Sequence, residues 1–381
     1  MDFIDVVVLG KKTKRMKVLC IIDSLGSGGA QRQIINLALG LKKNGHEVFL
    51  LVFYSEFNFF REQLINFGIP IFELHKKKGF SIKFLLKFVS FLNEKKVDSV
   101  ISFLLDVNLY TISAAVLSKK RFRLIVSDRS NIKLEKNMFI SFFKRLIYFK
   151  ADYVTANSYI HSAWLKNFFW LKSRVKTIYN GYDINRLNEN QFINNSYEFD
   201  FLVVGRIDPN KNGLRLLQAV ILYYSKYGIS LKIAWAGRVG NDLDSANYFK
   251  KINALLDQNP AVKANWKWLG ERDDIPLLLS KASALIHVSY YEGLPNAVCE
   301  AIVFGKPIVI SDVCDNSILV EHKVRGMLCN PNSHISICEA IHDFMTLSAI
   351  ERKVMADNAF EFAKKNLSLN NMVMQYESLL I

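Results

Sequence analysis

No stretch of the sequence approaches the roughly 20 uncharged apolar residues of a membrane-spanning helix, so we predict no transmembrane segment. The first residues include Asp2 and Asp5 and lack a long apolar core, so no signal peptide is expected and the predicted location is the cytoplasm. Half of the residues are hydrophobic and 22% are charged, which excludes a disordered chain. The length of 381 residues allows two domains with sizeable cores.

Patterns typical of metal and nucleophile chemistry are missing as well. The five cysteines form no C-x-x-C pair, which indicates a reducing compartment and buried thiols. The seven histidines show no H-E-x-x-H spacing, and no Ser-His-Asp or Cys-His grouping can be argued. Asp242-Leu243-Asp244 resembles a D-x-D metal motif, but it lies in a polar stretch where solvated side chains are expected. We predict no metal site.

Acidic residues are scarce in the first half only. Residues 1–190 contain 31 Lys and Arg against 15 Asp and Glu, a net charge of +16, whereas residues 191–381 have a net charge of −1. A basic half predicts a polyanionic partner surface, either membrane phospholipid or nucleic acid. Because no motif that reads a nucleic-acid groove is recognisable, we expect no nucleic-acid partner.

Apolar runs alternate with helical stripes along the chain. After a basic leader (residues 1–15, with Met16 as an alternative start), a strand at 17–23, a helix at 30–41 and a strand at 47–53 form a β-loop-α-β unit. Further strands are predicted at 99–103, 123–126, 153–156, 175–178, 201–205, 231–236, 267–269, 284–287 and 307–311. A polar, Asn-rich stretch from Asn180 to Ser196 is predicted to be an interdomain linker. The predicted fold class is α/β, with two Rossmann-like doubly wound domains.

The stretch from Tyr291 to Glu300 carries the most informative pattern. Glu292 and Glu300 flank a turn that follows a predicted strand, and Pro295 favours the first turn of the helix that comes next. Glu292 is therefore expected at the carboxyl end of a parallel strand, where open α/β sheets bind ligands, with Glu300 facing the same crevice. A helix start binds anions and carboxylates bind hydroxyls, a combination that fits a nucleotide sugar.

Two other strand-to-helix turns carry residue types that bind anions. Gly28 and Gly29 permit close approach of a ligand, although a tight turn without a ligand is the alternative. Arg206 and Lys211 can converge as two cations for a diphosphate, and the alternative is a pair of solvated side chains on a surface loop.

A third strand end has a different character. At Trp268-Leu269-Gly270, backbone groups could read the edge of a base while the apolar side chains support its face. Ordinary core packing of Trp266 and Trp268 is the alternative.

As an ordered set, these motifs resemble the family-4 retaining glycosyltransferases of the GT-B fold over nearly the whole chain. The landmarks are Gly28-Gly29-Ala30-Gln31, Tyr179-Asn180-Gly181-Tyr182-Asp183, Gly205-Arg206 with Lys211, and Glu292 and Glu300 with Gly293-Leu294-Pro295-Asn296 between them. The resemblance implies two domains that face each other across a cleft. Residues 16–185 would form the acceptor side, residues 197–365 would bind the nucleotide sugar, and a helix at 366–381 would pack back on the first domain.

The resemblance also implies a role for each landmark. Arg206 and Lys211 would hold the donor diphosphate and stabilise the departing nucleotide, Glu300 would bind the ribose hydroxyls, and Glu292 the transferred sugar. The amides of residues 293–296 would contact sugar or phosphate, and Gly28-Gly29 would approach them from the first domain. No metal or other cofactor is implied, because cations and helix ends supply the electrostatic stabilisation.

One segment departs from the family pattern. Many relatives carry a histidine after the strand near residue 126, where this chain has Ser127-Asp128-Arg129-Ser130-Asn131, an S-x-R-x-N variant. The resemblance implies that Asp128 or Arg129 takes over the sugar or acceptor contact, with Asn131 as a further acceptor contact. Asp106 is another candidate contact to the acceptor.

Two basic segments of the first half combine lysines with apolar helical stripes. In residues 76–96 the apolar face is flanked by lysines, and in residues 133–150 Lys144 and Arg145 lie opposite the stripe. The apolar residues are Ile82, Leu85, Leu86, Val89 and Leu92 in the first segment, and Leu134, Met138, Phe142, Leu146 and Phe149 in the second. Packing against the sheet is one explanation of the stripes; the surplus lysines predict contact with an anionic membrane surface.

We therefore predict a metal-independent retaining glycosyltransferase that is peripheral on the cytoplasmic face of the plasma membrane. It would move a hexose or N-acetylhexosamine from a nucleotide sugar, with UDP as the expected nucleotide, to a lipid-linked or polysaccharide acceptor. The alternatives are a sugar-nucleotide epimerase on the same fold and a non-catalytic protein that binds nucleotide sugars. A nucleic-acid-binding protein whose cleft senses a nucleotide is a further, less favoured hypothesis.

Overall fold

A computed structural model describes residues 14–77, 79–129, 138–184 and 197–381. These residues form two compact units. The first contains the described residues up to Arg129, residues 138–155 and Val373–Ile381, and the second contains the described part of residues 156–372. Each of the two β-sheets is flanked by helices, which confirms the predicted α/β class.

The first sheet has seven strands in the order β3-β2-β1-β4-β5-β6-β7, and its pairs from β3 to β5 are parallel. The strands are β1 (Lys17–Ser24), β2 (Glu47–Tyr54), β3 (Ile71–Glu73), β4 (Ser99–Phe103), β5 (Arg123–Asp128), β6 (Tyr153–Ala156) and β7 (Val175–Thr177). The helices are α1 (Gly29–Lys43), α2 (Arg61–Asn66), α3 (Ile82–Glu94), α4 (Leu105–Leu117), α5 (Met138–Leu146) and α6 (Tyr159–Lys166). The inner strands are buried on both faces, as a parallel sheet covered by helices requires.

The second sheet has six strands in the order β10-β9-β8-β11-β12-β13, all parallel. The strands are β8 (Phe199–Val204), β9 (Ile233–Ala236), β10 (Trp266–Gly270), β11 (Ala282–His287), β12 (Ile308–Ser311) and β13 (Gly326–Cys329). The helices that follow β8 in the chain are α7 (Gly213–Tyr227), α8 (Leu243–Asp257), α9 (Pro260–Lys263), α10 (Ile275–Lys281), α11 (Asn296–Val303), α12 (Asn316–Leu319), α13 (His334–Met345), α14 (Ala349–Asn366) and α15 (Leu369–Leu380). This order is that of a doubly wound Rossmann-like sheet.

Strand periodicity separates the core of the second unit into two clusters. Phe201 and Trp235 belong to one buried cluster, whereas their chain neighbours Leu202 and Ala234 belong to the other. Successive side chains of a strand point to opposite faces, so each cluster covers one face of the sheet.

The helix before β12 ends at Val303 and is followed by a glycine in a left-handed conformation. Gly305 has φ 58°, a left-handed conformation that favours glycine. Its N–H bonds the carbonyl of Ile302, and the N–H of Lys306 bonds that of Ala301. These two bonds cap the carbonyl end of α11.

Part of the stretch predicted to be a linker packs inside the second unit. Asn180 and Tyr182 are buried, and the N–H and carbonyl of Tyr182 bond the carbonyl of Leu367 and the N–H of Leu369. Residues 185–196 of that stretch lie outside the described residues. The predicted domain limits therefore stay predictions.

The last helix joins the first unit from Val373 onward. There the carboxylate of Glu377 lies 3.0 Å from Nε2 of His46, both buried, and Thr155 Oγ1 lies 3.0 Å from the hydroxyl of Tyr376. Across the described ranges, no helix is both long enough and apolar enough to cross a bilayer.

Candidate functional site

The centre of the second sheet is its topological switch point. Strands β8 and β11 are neighbours there, and the sequence order of the strands reverses between them. The carboxyl end of β8 leads into the loop of Arg206 and Lys211, and that of β11 leads into the loop of Glu292. Ligands of open α/β sheets bind at this edge, so the geometry brings the two predicted donor-binding loops to one place.

Two glycines shape the start of the first loop. Gly205 has φ 151°, and Gly237, at the end of β9, has φ 159°, conformations that side chains rarely adopt. A Cβ atom on Gly237 would lie 1.9 Å from the carbonyl oxygen of Gly205, which also accepts a bond from the indole of Trp235 at 2.8 Å. The close approach of these two chain segments fixes the path of the loop.

The backbone around Lys211 is held on both sides. The Asp208 carboxylate accepts the N–H of Lys211 at 3.1 Å, within a short 3-10 turn at Pro209–Lys211. Asn212 is buried with φ 59°, and its amide donates to the carbonyls of Val288 and Pro331 at 3.0 and 2.8 Å. Lys211 is therefore presented by a fixed turn rather than by a solvated loop.

Asn210 ties this turn to the loop that follows β11. Its side-chain amide donates to the carbonyl of Tyr291 at 2.9 Å, and its own carbonyl accepts the N–H of Tyr290 at 2.9 Å. The residue before Lys211 thus bonds the two residues before Glu292.

Lys211 and Glu292 form an ion pair at this edge. Nζ of Lys211 lies 2.6 Å from Oε1 of Glu292, and the two side chains are 20% and 13% exposed. Beneath the pair, Nε2 of the buried His287 lies 2.9 Å from the same oxygen and 3.1 Å from Oγ of Ser289. Because a carboxylate only accepts hydrogen bonds, we assign the His287 proton to Nε2.

The charge states of this cluster follow from its environment. Burial by itself would raise the pKa of Glu292, but the hydrogen bond from His287 and the ammonium of Lys211 hold that pKa well below its usual range. Burial lowers the pKa of His287. At neutral pH the site therefore contains a carboxylate, an ammonium and a neutral imidazole.

The other residues predicted in this unit differ in exposure and in their local contacts. Arg206 is 65% exposed, with its guanidinium 3.6 Å from the carboxylate of Asp208, so it is accessible to an anion. A side chain on Gly293 would enter open space. The first turn of α11 carries no side-chain cap at Pro295, and Glu300 is half-buried on that helix. These positions are compatible with the predicted ligand contacts, which stay predictions.

The side chains of Leu294 and Asn296 face the protein. Leu294 is buried in the core, and Oδ1 of Asn296 accepts from the amide of Asn180 at 2.7 Å and from the hydroxyl of Tyr182 at 2.9 Å. A contact from either residue to a ligand would therefore come from the backbone. These hydrogen bonds connect the Tyr179–Asp183 landmark to the start of α11.

The structure favours the packing alternative for Trp268. Its ring lies 5.5 Å from that of Trp235 and 5.1 Å from that of Phe249, and its indole donates to Asn253 at 3.2 Å. The register shifts between Trp268 and Gly270, so Leu269 has no partner in the ladder. The carbonyl of Gly270, at φ 68°, accepts the N–H of Gly237 at 2.7 Å. A backbone contact from residues 268–270 to a base stays a prediction.

In the first unit, Gly28 and Gly29 lie at the start of α1. Gly28 is the N-cap residue and has no side chain to cap the helix, and Gly29 opens the helix. The side chain of Gln31 lies over Gly28 and donates to the carboxylate of Asp23 at 2.8 Å. Glycine at position 28 leaves room for this bond.

The acceptor candidates of the first unit already have partners within the protein. Asp106 is largely exposed and pairs with Nζ of Lys144 at 2.5 Å. The guanidinium of Arg129 lies 4.3 Å from the centre of the Phe103 ring, and its Nε donates to Ser127. Asn131 lies outside the described residues.

Asp128 is fully buried against Arg145. Nε and one terminal nitrogen of Arg145 donate to the two carboxylate oxygens at 2.5 and 3.2 Å, and neither side chain is more than 1% exposed. The expected place of Arg145 on the exposed basic side of its helix is wrong, because a buried carboxylate at the end of β5 requires a cation. The observed contacts give Asp128 a partner inside the protein, and its sugar contact stays a prediction.

Sequence patterns alone did not identify His287 or Gly237 as part of this site. His287 is the last residue of a buried strand and lies five positions before Glu292. A polar residue at the end of a buried strand is the signal that could have identified it. Gly237 ends the neighbouring strand β9. Among the residues that the structure describes, no group of three metal-ligating side chains occurs.

Two family models match consecutive parts of the chain. The model of the family described as glycosyl transferases group 1 matches residues 186–362, and that of glycosyltransferase family 4 matches residues 27–186. The chain is 26% identical over 365 residues to the GalNAc-alpha-(1->4)-GalNAc-alpha-(1->3)-diNAcBac-PP-undecaprenol alpha-1,4-N-acetyl-D-galactosaminyltransferase of Campylobacter jejuni, covering 92% of this chain and 94% of that protein.

A shorter match involves the UDP-Gal:alpha-D-GlcNAc-diphosphoundecaprenol alpha-1,3-galactosyltransferase of Escherichia coli, at 32% identity over 151 residues, 38% of this chain and 35% of that protein. Among solved structures, HepE of Anabaena in complex with UDP and glucose aligns with a TM-score of 0.78 at 20% identity, covering 96% of this chain and 99% of that one. Because two consecutive family matches reach from residue 27 to residue 362 and the fold aligns over nearly the whole chain, the protein belongs to the family-4 glycosyltransferases of the GT-B fold.

Proposed function

We propose that this glycosyltransferase moves a hexose or N-acetylhexosamine from a UDP-sugar to a lipid-linked or polysaccharide acceptor, with retention and without a metal. The observation that carries the proposal is the Lys211–Glu292 pair at the switch point, with a nitrogen-to-oxygen distance of 2.6 Å. UDP is the nucleotide in the names of the Escherichia coli relative and of the HepE structure.

The charges of the site support a division of work between its residues. A donor diphosphate offers Lys211 and the accessible Arg206 a stronger anionic partner than one carboxylate. Glu292, kept ionised, is then available to accept hydrogen bonds from sugar hydroxyls. As the glycosidic bond breaks, negative charge grows on the diphosphate, where fixed cations and the start of α11 stabilise it.

A membrane-linked acceptor fits both the relatives and the surface of the first unit. The names of the two relatives contain undecaprenol linked through a diphosphate. Helix α3 buries Phe84, Phe88 and Leu92, yet its Ile82 and Leu86 are 66% and 58% exposed. Lys83 and Lys87, on the same helix, are exposed as well.

An apolar strip between lysines is the composition of a surface that docks on anionic lipid. In α5, the predicted stripe is likewise partly exposed, with Phe142 at 41%. We therefore place the enzyme on the inner face of the plasma membrane.

The proposal is tested by incubating the protein with a panel of nucleotide sugars and a lipid extract and then weighing the product. A lipid-linked product heavier by one sugar, with UDP released only when the acceptor is present, is the expected result. Interconversion of the nucleotide sugars without any acceptor would instead identify an epimerase. Binding of donor with neither reaction across the panel would identify a non-catalytic binding protein.

A further inference from the structure

The end of α6 and the turn that leads from it to β7 combine aromatic side chains with lysines. Residues 164–174 read Trp-Leu-Lys-Asn-Phe-Phe-Trp-Leu-Lys-Ser-Arg, and residues 153–182 contain neither Asp nor Glu. None of these residues belongs to the donor site, to α3 or to α5. We call residues 164–174 the aromatic turn.

The backbone of the aromatic turn is fixed. The N–H of Leu171 bonds the carbonyl of Phe168 at 2.8 Å, and the N–H groups of Arg174 and Val175 bond the carbonyl of Leu171 at 2.8 and 3.1 Å. Leu165 and Leu171 have no exposed surface and anchor the turn in the core. The outer side chains are therefore presented by an ordered turn, which loses little conformational freedom when it binds a partner.

Aromatic rings form a continuous row that ends in solvent. The Trp164 ring lies 5.0 Å from that of Phe168, which lies 5.5 Å from that of Trp170, and Phe169 follows at 4.9 Å. Phe169 is 81% exposed, the largest value among the exposed large hydrophobic side chains of the described ranges. Packing within the protein does not account for a ring so far outside the core.

The charged residues that neighbour these rings in the sequence are all basic. Lys166 and Lys172 flank the aromatic residues and are exposed, as is Lys176 on β7. The carboxylate of Asp315 reaches the start of α6, but it is fully buried and accepts the N–H groups of Tyr159 and Ile160. The exposed face of the aromatic turn is therefore apolar at its tip and cationic at its sides.

A bilayer fits this combination better than a protein partner does. Aromatic side chains concentrate at the membrane interface, and lysines there bind anionic headgroups. Interfaces between proteins also use aromatic residues, but they are depleted in lysine. We propose that the aromatic turn inserts Phe169 into the interface of an anionic bilayer while Lys166 and Lys172 contact lipid headgroups. This inference deepens the membrane partner of the proposed function.

The test measures binding of the full chain to vesicles of phosphatidylcholine with 30% phosphatidylglycerol, by flotation in a density gradient. Phe169→Ala should weaken binding about tenfold, the loss expected when one aromatic side chain no longer enters the interface. Phe169→Trp should retain it. Lys166→Gln with Lys172→Gln should weaken binding by about 25-fold in total, and the loss should disappear on vesicles without phosphatidylglycerol.

Matched controls come from the second unit as well. Ile350→Ala truncates an apolar side chain that is 76% exposed, and Lys250→Gln with Lys251→Gln removes two exposed charges. Both should bind vesicles like the unchanged protein. Melting temperature and UDP binding, measured on every variant, show that the variants fold and keep the donor site.

Three results would overturn the inference. If Phe169→Ala binds vesicles as tightly as the unchanged protein does, another surface carries the contact and the proposed function stands without this turn. If Phe169→Ala instead dissociates an oligomer that sediments without lipid, the turn joins copies of the chain. Absence of vesicle binding by the unchanged protein would remove the membrane partner itself, whereas UDP binding tests the donor site separately.

Discussion

At the scale of single residues, the site depends on one carboxylate with two different partners. Oε1 of Glu292 accepts from Lys211 on one side and from the buried His287 on the other. The two contacts differ in exposure, because Lys211 is 20% exposed to the proposed donor diphosphate, whereas His287 is 3% exposed. Substitutions at these three positions should therefore separate donor binding from transfer.

Glu292→Gln should lower the rate of transfer by a factor of 100 or more while UDP binding survives, because a neutral amide keeps the shape of the side chain but loses the anion that orients the sugar.

Lys211→Ala should weaken UDP binding about tenfold or more, the effect of losing one charge-assisted bond to a phosphate. Calorimetry with UDP and a transfer assay measure the two effects. Lys263→Ala is the control, since Lys263 pairs with Asp257 at the same 2.6 Å on an exposed surface. Normal turnover by Glu292→Gln would contradict the assigned role.

His287→Leu should lower the transfer rate about tenfold with little effect on UDP binding, because Glu292 loses the bond that fixes its orientation. The variant should also change the pH dependence of stability. Burial lowers the pKa of His287, so the unfolded chain binds more protons than the folded one below about pH 6.5 and stability falls as the pH decreases.

Urea unfolding at pH 7.5 and pH 5.5 checks this second effect. The unchanged protein should lose more stability between the two values than His287→Leu does. Equal losses would show that the imidazole makes no such contribution.

At the scale of elements, the sequence pattern predicted the strands well but predicted contacts between residues far apart in the chain poorly. The strands at Ser99–Phe103 and Tyr153–Ala156 begin and end where the apolar runs do, because strands buried on both faces read as continuous hydrophobic runs. No strand was predicted at Ile71–Glu73 or Gly326–Cys329, which are short and lie at the edges of their sheets. The apolar pattern of only three or four residues does not distinguish a short edge strand from a loop.

The residues of the candidate site were likewise predicted only in part. Strand ends and helix starts could be predicted from the sequence, and they place Lys211 and Glu292 at one edge of the sheet. Contacts over a long chain separation, such as that between Asp128 and Arg145, leave no periodic signal. Helical periodicity assigned Arg145 to the exposed face, because a buried ion pair is visible only once the partner strand is in place.

Helix α5 is fixed to β5 by this buried pair, so its loss should destabilise the first unit. Arg145→Met should cost about 3–5 kcal/mol of unfolding free energy, because the Asp128 carboxylate stays buried without its two strong hydrogen bonds. Adding Asp128→Asn should recover part of the loss. On the same helix, Lys144→Met breaks the exposed pair with Asp106 and should cost less than about 1 kcal/mol. Urea unfolding of the four proteins measures these differences, and equal costs for the two single variants would contradict the argument.

At the scale of the whole molecule, the charge and the site are divided between the two halves of the chain. Residues 1–190 carry the net charge of +16, whereas the Lys211–Glu292 pair lies in the nearly neutral remainder. The proposed nucleotide site lies in the second unit, whereas the surfaces proposed for anionic lipid lie on α3, on α5 and on the aromatic turn.

UDP should accordingly stabilise the second unit. At 100 times its dissociation constant it adds about 2.7 kcal/mol to the stability of the state that binds it. Hydrogen exchange should slow at residues 205–212 and 292–300, where the predicted contacts lie, and remain unchanged in α3 and β3. Lys211→Ala, measured at the same UDP concentration, should show a much smaller effect. Protection confined to the first unit would place the nucleotide elsewhere and refute the donor site, because a ligand slows exchange where its binding free energy opposes local opening.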